Sequence, residues 1–378
     1  MLTSQVSLKK KVAQLFTVVV PLIKEEKEQF RIIEEYINLG IGGLIIGLGG
    51  KIDFLTDFLQ TNHVIDIKKV RKIISKLKKL DPTLFLAIDG EGGDKFNLFE
   101  NIAQLKRARE YGLEFEQKGS TKQFERDIGN YVAIMKECGI NMNFAPVLDT
   151  AQRGYSGYIS EYGRSYSDID KTVKILSGIA IKEMQKNKII AVGKHFPGYG
   201  CIDENPHLHL RPIKFDKNNK DYQLATSPFG HAIQNQGING IMKGHVMSPL
   251  DEQLPATLSP KVENYLRERL RFKGLSITDE LFMLSLNEHY VKKGGDKDGT
   301  IRIVDAAKCN DILLVTYPKQ RLDGKVKVIT DKHDYFPKLL NAVYDAVIKG
   351  DIPEDKINNS YERIIRYKKL LGLLDETP

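Results

Sequence analysis

Short apolar runs rich in β-branched residues recur along the chain, and apolar positions at helical spacing separate them. The runs predict eight strands: Leu15–Val20, Gly43–Gly47, Leu84–Asp89, Asn141–Val147, Ile189–His195, Gly240–Val246, Leu275–Asp279 and Ile312–Thr316. They are almost continuously apolar, as strands buried on both faces must be. The intervening periodicity predicts helices over Glu26–Leu39, Lys68–Leu80, Gln123–Cys138, Lys171–Lys186, Tyr222–Gln236 and Lys261–Leu270. Alternating strands and helices imply a parallel sheet, and eight repeats imply closure. The expected fold class is therefore α/β, a single (β/α)8 TIM-type barrel over residues 1–378 with C-terminal helices. An open doubly wound sheet is the alternative; no Gly-x-Gly-x-x-Gly turn follows the first strand, which weighs against it.

Two segments need separate treatment. Lys9–Lys11 precede the apolar run Val12–Ile23, the order found in a signal peptide. The run has no small-residue cleavage site and continues into a charged stretch, so it reads as a buried strand. Glu288–Thr300 is polar and glycine-containing and reads as a surface loop.

Composition narrows the function classes. Lys and Arg number 57 against 49 Asp and Glu, a formal charge of +8. Much of the excess lies in Lys68–Lys79, where Val70, Ile73, Ile74, Leu77 and Leu80 keep helical spacing, so the cations form a solvated outer face. No aromatic residues interleave them, and no nucleic-acid partner is expected. No window approaches the roughly 18 apolar residues of a membrane span, and no membrane partner is expected. Cys138, Cys201 and Cys309 are scattered and odd in number, which suggests neither a disulfide framework nor a zinc knuckle. With no leader evident, a cytoplasmic location is expected.

Candidate chemistry lies at the strand ends, where the active sites of eight-stranded barrels sit. Asp89 ends the third strand and Asp149 lies just past the fourth. Lys194 and His195 end the fifth, His245 ends the sixth, and Asp279 with Glu280 ends the seventh. Any one of these acids alone reads as a helix cap or turn former. Together they would converge on one mouth of the barrel. The loop after the fifth strand, residues 196–209, contains Pro197 and Pro206, and Gly198 and Gly200, which allow positive φ. It delivers His207 and His209, either as a catalytic arm or as solvated surface histidines.

These residues resemble a known family. Lys194–Gly200 (KHFPGYG) resembles the KHFPGHG motif of glycoside hydrolase family 3, and most of all its single-domain β-N-acetylglucosaminidases. Lys11–Val18 resembles the family's opening strand. Ile88–Gly93 (IDGEGG), Asn143–Asp149 (NFAPVLD), Gly163–Tyr166 (GRSY), Pro255–Pro260 (PATLSP) and Thr278–Met283 (TDELFM) resemble its further motifs in order and spacing. The resemblance implies a retaining glycosidase acting on N-acetylglucosamine-containing glycans, with no metal and no organic cofactor. It implies Asp279 as nucleophile and His207, thirteen positions after Lys194, as acid/base. Asp89, Arg164, Lys194 and His195 would hold the terminal sugar. A histidine with an ordinary pKa of about 6.5 can give and recover a proton near neutrality, and Lys194 and Arg164 would keep Asp279 ionised.

Three positions depart from the pattern. Asn205 stands where the family usually places the aspartate of a His–Asp dyad, so it can orient an imidazole but cannot stabilise imidazolium by charge; Asp203 or Glu204 could compensate. Asn97 replaces an arginine eight positions after Asp89, with Lys95 as a possible stand-in. Tyr199 replaces a histidine. The departures keep open a second reading, a sugar- or peptidoglycan-binding barrel with weak or no catalysis. A third treats His207, His209, His195, His245 and Asp279 as ligands of a metal-dependent barrel hydrolase; these groups lack a compact ligand spacing.

Overall fold

A computed structural model describes residues 6–19, 26–47, 60–61, 64–65, 67–94, 97, 99, 102–152, 154, 156–206, 208–213, 220–291, 294–296, 298–316, 319–322, 325–328 and 335–375. Eight parallel strands occupy the centre: β1 Phe16–Val19, β2 Gly43–Gly47, β3 Phe85–Ile88, β4 Met142–Asn143, β5 Ile190–Phe196, β6 Gly240–Lys243, β7 Leu275–Thr278 and β8 Leu313–Val315. Their order is β7-β6-β5-β4-β3-β2-β1-β8. The ends meet through a parallel bridge between Ile277 and Ile312. There Thr278 N–H donates to the Ile312 carbonyl at 3.0 Å, and Ile312 N–H to the Ser276 carbonyl at 3.1 Å. The sheet thus closes on itself, and every strand expected from the apolar runs is present.

Helices Glu26–Asn38, Ile67–Leu80, Lys122–Cys138, Asp170–Lys186 and Lys220–Asn235 lie where periodicity places them, and Tyr335–Ile348 and Glu354–Leu370 follow β8. Between Ile67 and Leu80 the faces divide as expected, with Val70, Ile73, Ile74 and Leu77 buried. Leu80, the last residue of the helix, is the exception at 40% exposure.

Several boundaries differ from the sequence reading. The run from Val12 does not begin as a strand. Leu8–Gln14 is a helix opened by Ser7, with Val12 and Ala13 fully buried, and β1 starts only at Phe16. Lys11 on this helix reaches the final helix, its Nζ donating to Asn358 Oδ1 at 2.8 Å. The strand expected over Asn141–Val147 shortens to Met142–Asn143 and a single bridge from Val147 to Lys194, since Pro146 has no N–H to give the ladder. Lys261–Leu270 forms a short α-helix, Pro260–Asn264, and then a π-turn over Tyr265–Arg269. The helix Ala108–Lys118 was not foreseen. Its mixed apolar pattern interrupts the amphipathic stripe. Glu288–Val291 belong to the helix Leu284–Val291 rather than to a loop, and Asp296 is buried under Arg302, which donates to it through Nε at 2.7 Å. Among the described residues no helix is long and apolar enough to cross a membrane, and all three cysteines are buried and in no disulfide.

A buried charge network closes the barrel between β6, β7 and β8. Lys243 Nζ donates to Glu263 Oε2 at 2.9 Å and to the Cys309 carbonyl at 2.7 Å. Arg267 bridges Glu263 Oε1 at 2.7 Å and Asp311 Oδ2 at 2.6 Å. Asp311 also accepts from Ser276 N–H at 3.0 Å, Ser360 Oγ at 2.8 Å and Arg363 Nη1 at 3.2 Å. Burial opposes charge on Asp311, yet Arg267 and its cationic neighbours outweigh that and hold its carboxyl below the usual range. Asp311→Ala would leave Arg267 buried without this partner, at an expected cost of about 3–5 kcal/mol. Urea unfolding checks this; a loss below about 1 kcal/mol would contradict the network's role.

Candidate active site

The expected site residues converge at the C-terminal rim. Asn143, in β4, clamps the loop after β3: its Oδ1 accepts Gly90 N–H at 2.8 Å, and its Nδ2 donates to the Gly90 carbonyl at 3.0 Å. The loop so held carries Asp89 and Glu91. Lys194, at the end of β5, donates to Asp89 Oδ1 and to Glu91 Oε1, the latter at 2.6 Å. Arg164 grips Glu91 with both branches, Nε to Oε2 at 2.8 Å and Nη2 to Oε1 at 2.6 Å. Its guanidinium also lies over the Tyr158 ring, 5.0 Å from the centroid.

Burial raises the Glu91 carboxyl, but Arg164 and then Lys194 outweigh it and hold it well below the usual carboxylate range. Asp89 goes the other way, because burial exceeds the attraction of Lys194 and pushes its carboxyl up. Lys194 is itself raised, the two carboxylates overcoming its burial. The cluster therefore offers a firmly ionised acid, a more basic acid at the rim and two cations, a mixture of acceptors and donors suited to sugar hydroxyls.

Asp149, fully buried past β4, organises the β5 loop. It accepts His195 N–H at 3.1 Å and His195 Nδ1 at 2.8 Å through Oδ2, and Tyr199 N–H at 2.7 Å through Oδ1. Arg164 Nη2 stands 3.3 Å from His195 Nε2. Arginine can only donate, so Nε2 accepts and Nδ1 carries the proton. Both ring nitrogens are thus engaged by protein groups, and a sugar contact through either would have to displace one of them. In the same loop Gly198 has φ +135°. Gly200 is required by close approach rather than by positive φ, since a Cβ there would stand 1.7 Å from the Thr150 carbonyl oxygen.

Asp279 follows β7 and is 7% exposed. Its Oδ1 accepts Glu280 N–H at 2.8 Å, and its Oδ2 lies 3.4 Å from the Tyr199 hydroxyl. Glu280 turns away to Thr316, taking its hydroxyl at 2.7 Å, and to Phe282 N–H at 2.7 Å. His245, past β6, donates from Nε2 to the Glu280 carbonyl at 2.7 Å. Its Nδ1 is buried with no hydrogen-bond partner among the described residues, and burial lowers the ring's pKa. The imidazole is therefore neutral near pH 7 and bears a bare lone pair.

Other expectations fare differently. His207 and Lys95 lie outside the described residues. Asn97 folds back on its own loop, bonding the Ala103 carbonyl at 3.2 Å and Phe99 N–H at 3.0 Å. The Asn205 carbonyl accepts from Leu208 and His209 N–H at 3.0 and 3.2 Å. The two acids considered as substitutes for a dyad aspartate are engaged elsewhere, Asp203 with Ser156 N–H at 3.2 Å and Glu204 with Arg211 at 2.6 Å. His209 pairs through Nδ1 with Glu288 at 3.0 Å. Among the described residues no group of His, Cys, Asp and Glu could hold a metal ion. Glu91, Asn143 and Tyr199 are parts of this cluster to which the strand-end reading gave no role. Glu91 lies three residues past the end of β3, and its position within IDGEGG was its only signal.

A family model described as Glycosyl hydrolase family 3 N terminal domain matches residues 7–367. The chain belongs to glycoside hydrolase family 3. It is 31% identical over 266 residues to a Beta-hexosaminidase of Thioalkalivibrio sulfidiphilus, a match covering 69% of this chain and 74% of that protein. It is 29% identical over 267 residues to a Beta-hexosaminidase of Shewanella frigidimarina, covering 66% and 74%. A solved family 3 beta-N-acetylglucosaminidase from Paenibacillus has a TM-score of 0.77 at 25% identity; the match covers 99% of this chain and spans 64% of that one. The Beta-N-acetylhexosaminidase of Beutenbergia cavernae shares the fold, with a TM-score of 0.75 at 19% identity and coverage of 97% and 99%. This family 3 protein is a glycoside hydrolase.

The shared carboxylate sets a pH test. Glu91 is depressed from an ordinary value of 4.5, so its contribution to stability is complete above that pH and is lost as pH falls towards the lower folded value. Glu91→Gln should therefore destabilise strongly at pH 7, and the gap to wild type should narrow by about 1.4 kcal/mol per unit below 4.5. Urea unfolding at pH 7 and pH 3 checks this; a gap independent of pH would contradict it.

Proposed function

We propose that this family 3 hydrolase is a retaining exo-β-N-acetylglucosaminidase with Asp279 as its nucleophile. The observation that carries the reading is the environment of Asp279: a buried carboxylate at a rigid strand end, held at both oxygens. Contacts through Tyr199 and His195 link it to the donor–acceptor cluster around Glu91. The relatives named as beta-hexosaminidases support the N-acetylhexosaminide class.

In this mechanism Asp279 attacks the anomeric carbon as the glycosidic bond breaks, and His207 gives its proton to the departing oxygen. The glycosyl–aspartate ester is then opened by water, whose proton returns to His207. The role of His207 rests on its spacing within the family motif. Asn205 can orient that imidazole without charging its environment, so the pH optimum should differ from that of relatives carrying an aspartate there. Asp89, Arg164 and Lys194 would bind the terminal sugar, and His195 would fix Arg164. Muropeptides and chitin oligomers both present the required terminal residue. Cysteines that form no disulfide fit a reducing, cytoplasmic setting.

The reading is tested with a chromogenic N-acetyl-β-glucosaminide. Hydrolysis should release the β-anomer first, as seen by proton NMR. Asp279→Asn should lower kcat by roughly 10³-fold or more with an unchanged unfolding midpoint. Folded protein without hydrolysis would favour the binding barrel that Asn205 and Asn97 suggest, and activity in Asp279→Asn would reject the nucleophile.

A further inference from the structure

Tyr199 stands where the family motif carries histidine, and its surroundings give it a specific task. The side chain is buried and fixed on every side. Its ring stacks on His195 with centroids 4.6 Å apart and planes at 25°. Gly244 lies against the ring, where a Cβ would come within 2.5 Å of Tyr199 Cζ. Its own N–H is anchored to Asp149 Oδ1 at 2.7 Å. The hydroxyl stands between two groups, the backbone N–H of His245 and Asp279 Oδ2. An amide N–H can only donate, so the hydroxyl accepts there and directs its single proton to Asp279.

We propose that Tyr199 is a positioning residue for the nucleophile, its phenol O–H holding Asp279 Oδ2 while Glu280 N–H holds Oδ1. The inference rests on the assignment of Asp279 above. Two donors on two oxygens leave the carboxylate one orientation and favour its ionised form. The 3.4 Å separation leaves room for the bond to tighten when the aspartate departs from the glycosyl ester. Burial and the Asp279 charge hold the phenol well above its ordinary range, so its proton stays in place. A histidine at this position would change charge near its ordinary pKa of about 6.5; the phenol is a neutral donor throughout the working range. Among the described residues, the other titratable or charged groups acting here include Asp149 and Arg164 on the phenol, His195 stacked on its ring, His245 beside its hydroxyl, and Glu280 and Arg302 acting on His245.

Tyr199→Phe keeps the ring and its stacking and removes the hydroxyl, which is both the donor to Asp279 and the acceptor of His245 N–H. With the chromogenic substrate it should lower kcat roughly 10- to 100-fold, with little rise in KM. The acid limb of kcat/KM should move to higher pH, because the carboxylate loses a stabilising hydrogen bond. Replacing the residue with 3-fluorotyrosine, a stronger donor of nearly the same shape, should move that limb to lower pH, and it covers the case in which the phenylalanine variant fails to fold. An acid limb that stays put in the folded variants would overturn the proposal, since a purely structural side chain would not move it. Asp279→Asn separates the two claims: if it is inactive while Tyr199→Phe behaves as wild type, only the tyrosine inference fails. If Asp279→Asn is active, the nucleophile assignment fails first.

Discussion

Glu91 is shared between Arg164 and Lys194, and the charged half of the candidate site is arranged around that shared anion. Removing an ion from water costs several kcal/mol even after relaxation, and here two cations and two carboxylates are largely or wholly buried. The cost is offset because Arg164 engages both carboxylate oxygens, and because Lys194 bridges Glu91 to Asp89. One consequence is geometric: Asp89 and Lys194 are locked to each other at the rim. Another is electrostatic. Ionisation is concentrated on Glu91, and Asp89 remains the more basic of the two acids. The backbone supports this through Asn143, which ties the loop bearing both acids to β4.

Asp279 has a different setting. Its donors include a backbone N–H and a phenol, and the nearby imidazole of His245 is kept neutral by burial. The charged cluster around Glu91 and the carboxylate of Asp279 are linked through Tyr199 and His195, whose rings stack. Asp149 accepts from the ring and backbone N–H of His195 and from the backbone N–H of Tyr199, so one buried acid past β4 anchors the start of the β5 loop.

The barrel was legible because parallel strands buried on both faces must be written as apolar runs, and the turns between them leave polar residues at one rim. What escaped was set by tertiary contacts. Val12 and Ala13 look like the start of a strand but are the buried face of a helix against the C-terminal helices. Pro146 sits inside an apolar run and cuts the β4 ladder short. Glu91 and Asn143 act through partners distant in sequence, Arg164 and Gly90, that no local pattern could supply. Tyr199 was visible as a departure from a motif, yet its partners His245 and Asp279 become apparent only when three strand ends are brought together.

The central claim is that the carboxylate of Asp279 forms a bond to the sugar. It is tested most directly by incubating the wild-type protein with a 5-fluoro-N-acetyl-β-glucosaminyl fluoride, which slows turnover of the ester. Proteolysis and mass spectrometry should then find the fluoroglycosyl mass on the peptide containing Asp279, with activity lost in step with labelling. Labelling at another residue, or turnover of this substrate through a non-covalent route with no adduct at any time point, would contradict the account.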